Sequence, residues 1–180
     1  VNRDQEAIDV YNQILSTQPR NARASLRLCT AYRKIGQFDQ ALGYCEDAVR
    51  YDGNDPEARF WLGFLQYQSR AFESALASFT ACVANDPGGQ NWTTLECTYR
   101  MGLSEFYLGD CDAAWPILRD ALLLARSTTR DGIDTIVANI SQGMLAVGES
   151  CPEYRGLASP LLPETEEPSP AVTATPPPGA

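Results

Sequence analysis

Apolar residues recur along this chain at spacings of three and four, the period that places them on one face of a helix. Ala7, Ile8, Tyr11, Ile14 and Leu15 form the first such face, and Ala114, Trp115, Leu118, Ala121 and Leu122 form a later one. Between them, QFDQALGYCEDAV (Gln37 to Val49) and AFESALASFTACV (Ala71 to Val83) superimpose at one constant shift: Phe38 falls on Phe72, Ala41 on Ala75, Leu42 on Leu76 and Val49 on Val83. Ala7, Ala41, Ala75 and Ala114 recur at the same shift, lengthened only in the last interval. A unit of about 34 residues marks a repeat architecture.

A second type of helix precedes the later copies. Leu28, Leu62 and Met101 align, and a small residue follows each: Cys29, Gly63 and Gly102. Gly36 and Gly109 fall where helix C-termini favour glycine, and Pro19, Pro56 and Pro87 punctuate the joins between units. The unit is therefore helix, tight turn, helix.

On LCTAYRKIGQFDQALGYCEDAV (Leu28 to Val49), LGFLQYQSRAFESALASFTACVANDP (Leu62 to Pro87) and MGLSEFYLGDCDAAWPILRDAL (Met101 to Leu122), the chain resembles the tetratricopeptide repeat family, from about Asp4 to Ala125. The resemblance implies an all-α fold, a right-handed superhelix of antiparallel helix pairs. The boundaries expected are a half repeat over 1–21, repeats over about 22–55, 56–89 and 95–128, and a capping helix over about 131–148, so that 1–150 is one helical repeat domain. The chain departs from the family in three ways. The first unit supplies only its second helix, the GGQNW region adds five residues, and Pro116 lies inside the last paired helix, where a kink is expected. Ile133, Ile136, Val137, Ile140, Met144 and Val147 line the capping helix, suited to closing a stack. Residues 151–180 form an irregular tail rich in Pro, Glu and Thr that cannot bury enough apolar surface to offset its chain entropy.

Composition then narrows the function. The chain has 180 residues, a net charge of −9 and no histidine. The negative field opposes nucleic acid, and no stretch approaches the roughly 20 apolar residues of a membrane span. The chain opens on Val1 rather than Met, without a leader, which fits removal of an upstream segment. Without histidine there is no His-based triad or proton shuttle and no common zinc set. Gly88-Gly89 lacks the spacing and lysine of a phosphate loop, and Asp110 and Asp112 suit a helix N-terminus better than acid–base work. The reading is of a protein without catalysis, cofactor or metal.

Six cysteines without a Cys-x-x-Cys pair are buried apolar residues, metal ligands or disulfides. On the superhelix the resemblance implies, Cys29 faces Cys45 within one helix pair. Cys82, late in one helix, meets Cys97, early in the antiparallel next, and Cys151 returns beside Cys111. Three disulfides, Cys29–Cys45, Cys82–Cys97 and Cys111–Cys151, are therefore expected, against buried thiols as the alternative. Disulfides place the chain outside the cytosol: extracellular, periplasmic or at the cell surface. Asn91, in a sequon, and Thr165, Thr173 and Thr175 in the tail are candidate glycosylation sites. A second sequon at Asn139 falls within the capping helix.

The resemblance also implies a concave groove, lined by the first helices of successive pairs, that holds a peptide or partner segment. Mapped here, it gives Arg23, Leu26, Arg27, Thr30, Arg33 and Lys34 from one unit, then Glu57, Phe60, Trp61, Phe64 and Tyr67, then Glu96, Tyr99, Arg100, Leu103, Phe106 and Tyr107. A basic patch leads into an aromatic wall, both residue types enriched at binding hot spots. The alternative is that Trp61 and Phe106 pack between repeats and that the cations are a solvated face. The tail segment PETEEPSP is a complement within the chain itself, with acids for the arginines and prolines for the aromatic wall. Two functions follow. One is an interaction module holding an acidic or Pro-rich partner. The other is a structural subunit of an extracellular assembly, a homo-oligomer or filament in which the tail docks on a neighbouring copy.

Overall fold

The computed structural model describes residues 2–84 and 92–157. Among them are eight α-helices and no strand: α1 (Asn2–Thr17), α2 (Ala22–Lys34), α3 (Phe38–Tyr51), α4 (Pro56–Gln68), α5 (Phe72–Ala84), α6 (Trp92–Tyr107), α7 (Cys111–Arg126) and α8 (Ile133–Ser150), followed by the short 3-10 turn η1 (Pro152–Tyr154). Helix α6 begins three residues before the expected unit boundary at 95, and α8 is displaced two residues from 131–148. The tail from 158, with Thr165, Thr173 and Thr175, and Asn91 lie outside the described residues.

Local chemistry sets the helix ends. The Asn21 side chain accepts from the Ala24 amide at 2.9 Å, Asp55 from Glu57 at 2.8 Å, and Asp110 from Ala113 at 2.9 Å, each satisfying an N–H that an α-helix leaves free in its first turn. Asp112, expected beside Asp110 as a cap, instead accepts the Tyr154 hydroxyl at 2.7 Å. Gly36 and Gly109 adopt φ of 79° and 87° after α2 and α6. At the equivalent turn after α4 the left-handed residue is Arg70, at φ 62°. Helix α7 is continuous through Pro116.

Helices α2 and α3, α4 and α5, and α6 and α7 pack as antiparallel pairs, and each also packs on its neighbour in sequence, with α1 before and α8 after. In addition α2 touches α4, α4 touches α6 and α6 touches α8. The even-numbered helices thus form one continuous layer, and the odd-numbered ones lie against it from the other side, the geometry of an all-α solenoid.

The small-residue position explains how each pair closes. A Cβ on Gly63 would lie 2.7 Å from Phe79, and one on Gly102 would lie 2.9 Å from Leu118, both inside contact distance. Glycine on the first helix is what allows the large, fully buried side chain of the second to seat. In the first pair this couple is Cys29 and Cys45, both fully buried. Cys45 is the repeat equivalent of Phe79 and Leu118, so two medium residues fill the space that glycine and a large residue fill elsewhere. The Cα atoms of Cys29 and Cys45 are 5.1 Å apart, those of Cys82 and Cys97 6.3 Å, and those of Cys111 and Cys151 6.4 Å, all disulfide distances.

Candidate functional site

The layer of α2, α4, α6 and α8 carries a surface along which the helices place aromatic and cationic side chains one beside the next. Helix α4 contributes Phe60, Trp61, Phe64 and Tyr67, at spacings of one, three and three, so that they share a face. Phe60 and Trp61 meet edge to face at 4.7 Å, and Trp61 and Phe64 at 5.8 Å. Farther along, Tyr67 packs on Phe72 at 5.5 Å and on Tyr107 at 5.8 Å, and Phe106 adjoins Tyr107 at 5.5 Å. Tyr107 keeps 54% of its surface exposed. These rings form a wall with one face toward solvent.

Two arginines cover the wall from opposite sides. From α2, the Arg33 guanidinium lies 4.3 Å from the Trp61 ring centre and 5.9 Å from that of Phe64. From α6, Arg100 lies 4.5 Å from Tyr99, 5.3 Å from Phe60 and 5.5 Å from Phe64. Such cation–π contacts stabilise by about 0.5–2 kcal/mol each, more as water is excluded. The two cations differ in one respect. Arg100 is ion-paired with Glu96 one turn earlier. Arg33 has a buried Nε without an acceptor among the described residues, and so does the buried Nε1 of Trp61 beneath it. Burial lowers the Arg33 pKa, as expected for a charge held against a ring and not against an acid.

The other cations mapped to this surface are less available than their clustering in sequence suggests. Arg27 pairs with Glu57 at 3.2 Å and Lys34 with Asp4 at 3.8 Å, while Arg23 is exposed on the first turn of α2. Thr30 donates to the Arg27 carbonyl at 3.0 Å. Leu26, mapped to the groove, is buried with Ala48 and Ala58 beneath it. The patch therefore centres on Arg33, set on an aromatic platform without an acid partner among the described residues and flanked by internal ion pairs, with Arg23 exposed at its edge.

Between α4, α6 and α8 the wall opens into a cavity of about 370 Å³. Phe64, Tyr67, Tyr99, Leu103, Phe106 and Tyr107 supply its apolar side, and Gln68, Asn139 and Gln142 supply amides. Tyr99 is only 3% exposed and belongs to the core beneath the cavity as well as to its lining. Its pKa is pushed up to about 12, chiefly by burial, opposed by Arg100 and aided by the Glu96 carboxylate. Burial and the neighbouring Tyr107 also raise that of Tyr67. Both phenols are therefore neutral hydrogen-bonding groups across the physiological range.

The contribution of α8 is what sequence reasoning missed. Read only as a cap, it instead takes the place of a further first helix, and Asn139, Gln142, Gly143 and Ala146 line the cavity. A Cβ on Gly143 would fall 2.5 Å from Leu103, so the glycine permits the close approach of α8 to α6. The sequence carries a signal for this, because Gly63, Gly102 and Gly143 recur at nearly equal intervals.

Comparison with known proteins agrees with this architecture. Two sequence models described as tetratricopeptide repeat match residues 26–89 and 4–44. Tetratricopeptide repeat protein 28 of Homo sapiens is 38% identical over 82 residues, 45% of this chain. Hsp70-Hsp90 organizing protein of Triticum aestivum is 26% identical over 85 residues, 47% of this chain. The matched segments span only 3% and 15% of those two proteins. Among solved structures, a crystal structure of MamA superimposes with a TM-score of 0.66 at 18% identity, covering 86% of this chain and 81% of that one. A putative kinesin light chain with nearly identical TPR-like repeats, from Podosopora anserina, gives 0.63 at 15% identity, covering 89% and 84%. These likenesses concern the fold.

Proposed function

We propose that this chain, which matches tetratricopeptide repeat models over residues 26–89 and 4–44, is a non-catalytic interaction module whose concave face, formed by α2, α4, α6 and α8, holds an extended acidic or Pro-rich segment of a protein partner. The observation that carries this reading is the half-buried Arg33 guanidinium, set over Trp61 without an acid partner among the described residues and 5.9 Å from Phe64, which lines the open aromatic cavity. A partner's carboxylate against that guanidinium forms a charge-assisted hydrogen bond, roughly twice as strong as a neutral one. The aromatic wall beyond it suits prolyl and aliphatic side chains, which bring apolar area with little chain entropy to lose.

The module works in an oxidising compartment. Three cysteine pairs stand at disulfide distance with no cysteine left over among the described residues, and two pairs are wholly buried between helices. In the oxidised form each cross-link ties together helices that a solenoid otherwise holds only by nearest-neighbour packing.

Panning a random decapeptide library against the full chain tests the reading. Enriched sequences are expected to carry a carboxylate two or three residues from a proline or aliphatic residue, and to lose at least tenfold in affinity on Phe64→Ala or Arg33→Glu. Enrichment without any such pattern, or binding indifferent to both substitutions, overturns it.

A further inference from the structure

The chain carries its own candidate for this groove, and the geometry specifies both register and direction. We infer that the segment Leu161–Glu167 occupies the groove of the same molecule, with Leu161–Pro163 in the cavity between α4, α6 and α8 and the carboxylates from Glu164 onward against Arg33. The inference rests on the groove reading above and names its occupant.

Phe64 joins the two halves of the groove, since it lines the cavity and also stands 5.9 Å from the Arg33 guanidinium. An extended chain advances about 3.1–3.4 Å per residue, so roughly two residues separate a side chain in the cavity from one at the arginine. A ligand with an aliphatic or prolyl residue followed two places later by an acid therefore satisfies both halves. Beyond Leu157 that pattern first occurs at Leu162 and Glu164, with Glu166 and Glu167 behind.

Direction agrees as well. The described chain ends at Leu157, just after η1, where Tyr154 stacks on Trp115 at 5.1 Å and donates to Asp112 in the first turn of α7. That end of the solenoid holds the C-terminus of α6, with Phe106 and Tyr107, and the last turns of α8, with Ala146, all cavity residues. The tail thus departs from the α7–α8 end of the solenoid, which along the stack is nearer the cavity than Arg33 on α2. Four residue steps from Leu157 to Leu161 reach up to about 14 Å. Running onward from there, the tail meets the cavity first and Arg33 second, the order in which its leucines and glutamates occur.

Charge supplies the third support. Residues 158–180 contain three glutamates and no lysine or arginine, so they add to the net −9 of the chain. Arg100, Arg27 and Lys34 already have acid partners on the helices, whereas Arg33 Nε has none among the described residues. In this state other ligands compete with the tail for the groove.

The test uses two full-length chains, the native one and a variant with Leu161→Ser, Leu162→Ser, Glu164→Ser and Glu166→Ser, substitutions that fall outside the described helices. A labelled synthetic peptide spanning Ser159–Ser169 is titrated into each by fluorescence anisotropy. A tethered segment competes at an effective concentration on the order of 1 mM, so a peptide with a dissociation constant near 100 μM binds the variant about tenfold more tightly than the native chain. Adding Arg33→Glu to the variant is expected to remove that binding. Equal affinity for the two chains overturns the inference, as does a light-scattering mass that rises with concentration for the native chain alone, which assigns the tail to a neighbouring copy. If neither chain takes the tail peptide while peptides selected by panning still bind the variant, the tail assignment fails and the groove reading stands. If none binds, both fail.

Discussion

The couple at the centre of each helix pair gives a prediction whose two parts can be separated by substitution. Replacing Cys29 and Cys45 with alanine removes a cross-link closing a separation of 16 residues, which the chain-entropy relation values at about 3 kcal/mol. It also deletes two fully buried sulfur atoms, at roughly 1 kcal/mol each. The sum of about 5 kcal/mol corresponds to a fall in thermal midpoint of roughly 10–20 °C at about 2–4 °C per kcal/mol for a chain of this size. The second repeat offers the control, because its glycine and phenylalanine fill the same site without a covalent bond. Cys29→Gly with Cys45→Phe restores the packing atoms and not the tether. It should recover about 2 kcal/mol of packing and remain about 3 kcal/mol below the native protein. Urea unfolding followed by circular dichroism, without reductant, measures all three chains. A transplant as stable as the native protein, or a native midpoint unmoved by dithiothreitol, refutes the cross-link and leaves the two sulfurs as packing atoms.

Arg70 holds the left-handed conformation that glycine holds at the two equivalent turns, so Arg70→Gly is expected to raise stability by about 0.5–1 kcal/mol, and a loss measured by urea unfolding contradicts that expectation. Gly63→Val drives a branched side chain into the Phe79 ring, 2.7 Å from where the first added carbon sits; a cost of about 1–3 kcal/mol is expected in the same assay, and a neutral result refutes the close approach. Tyr99 titrates at about 12 in the folded state against 10.0 when unperturbed, so the folded chain retains a proton the unfolded chain releases. Stability is therefore complete below about pH 10 and falls as pH rises toward about 12, a slope that Tyr99→Phe should flatten in alkaline unfolding curves; an unchanged slope contradicts it.

Periodicity made the fold legible because a solenoid repeats its packing problem, and each solution leaves the same residues in the same places. Ala7, Ala41, Ala75 and Ala114 mark the second helices, and Cys29, Gly63 and Gly102 mark the first ones, without reference to anything distant in sequence. The nearness of Cys29 and Cys45 was legible for the same reason, since facing positions in a helix pair are fixed by the repeat. The electrostatics of the groove was not. Arg27, Arg33 and Lys34 share one helix, yet their partners lie on others, Glu57 and Trp61 on α4 and Asp4 on α1. Only the superposition of helices decides which cation keeps a free face. The role of α8 escaped for a different reason: it has no second helix after it among the described residues, so half of the repeat signal is missing while Gly143 still makes the close approach to α6.

The central claim is that ligands are held on the layer of α2, α4, α6 and α8. Placing the photoreactive residue p-benzoylphenylalanine at Phe64, in the groove, and separately at Leu123, which is 52% exposed on α7 in the opposite layer, tests it directly with a peptide selected by panning. Irradiation is expected to join the peptide to the position 64 variant, with excess unlabelled peptide suppressing the product, and to give none at position 123. Cross-linking at position 123 with none at position 64 would contradict the claim.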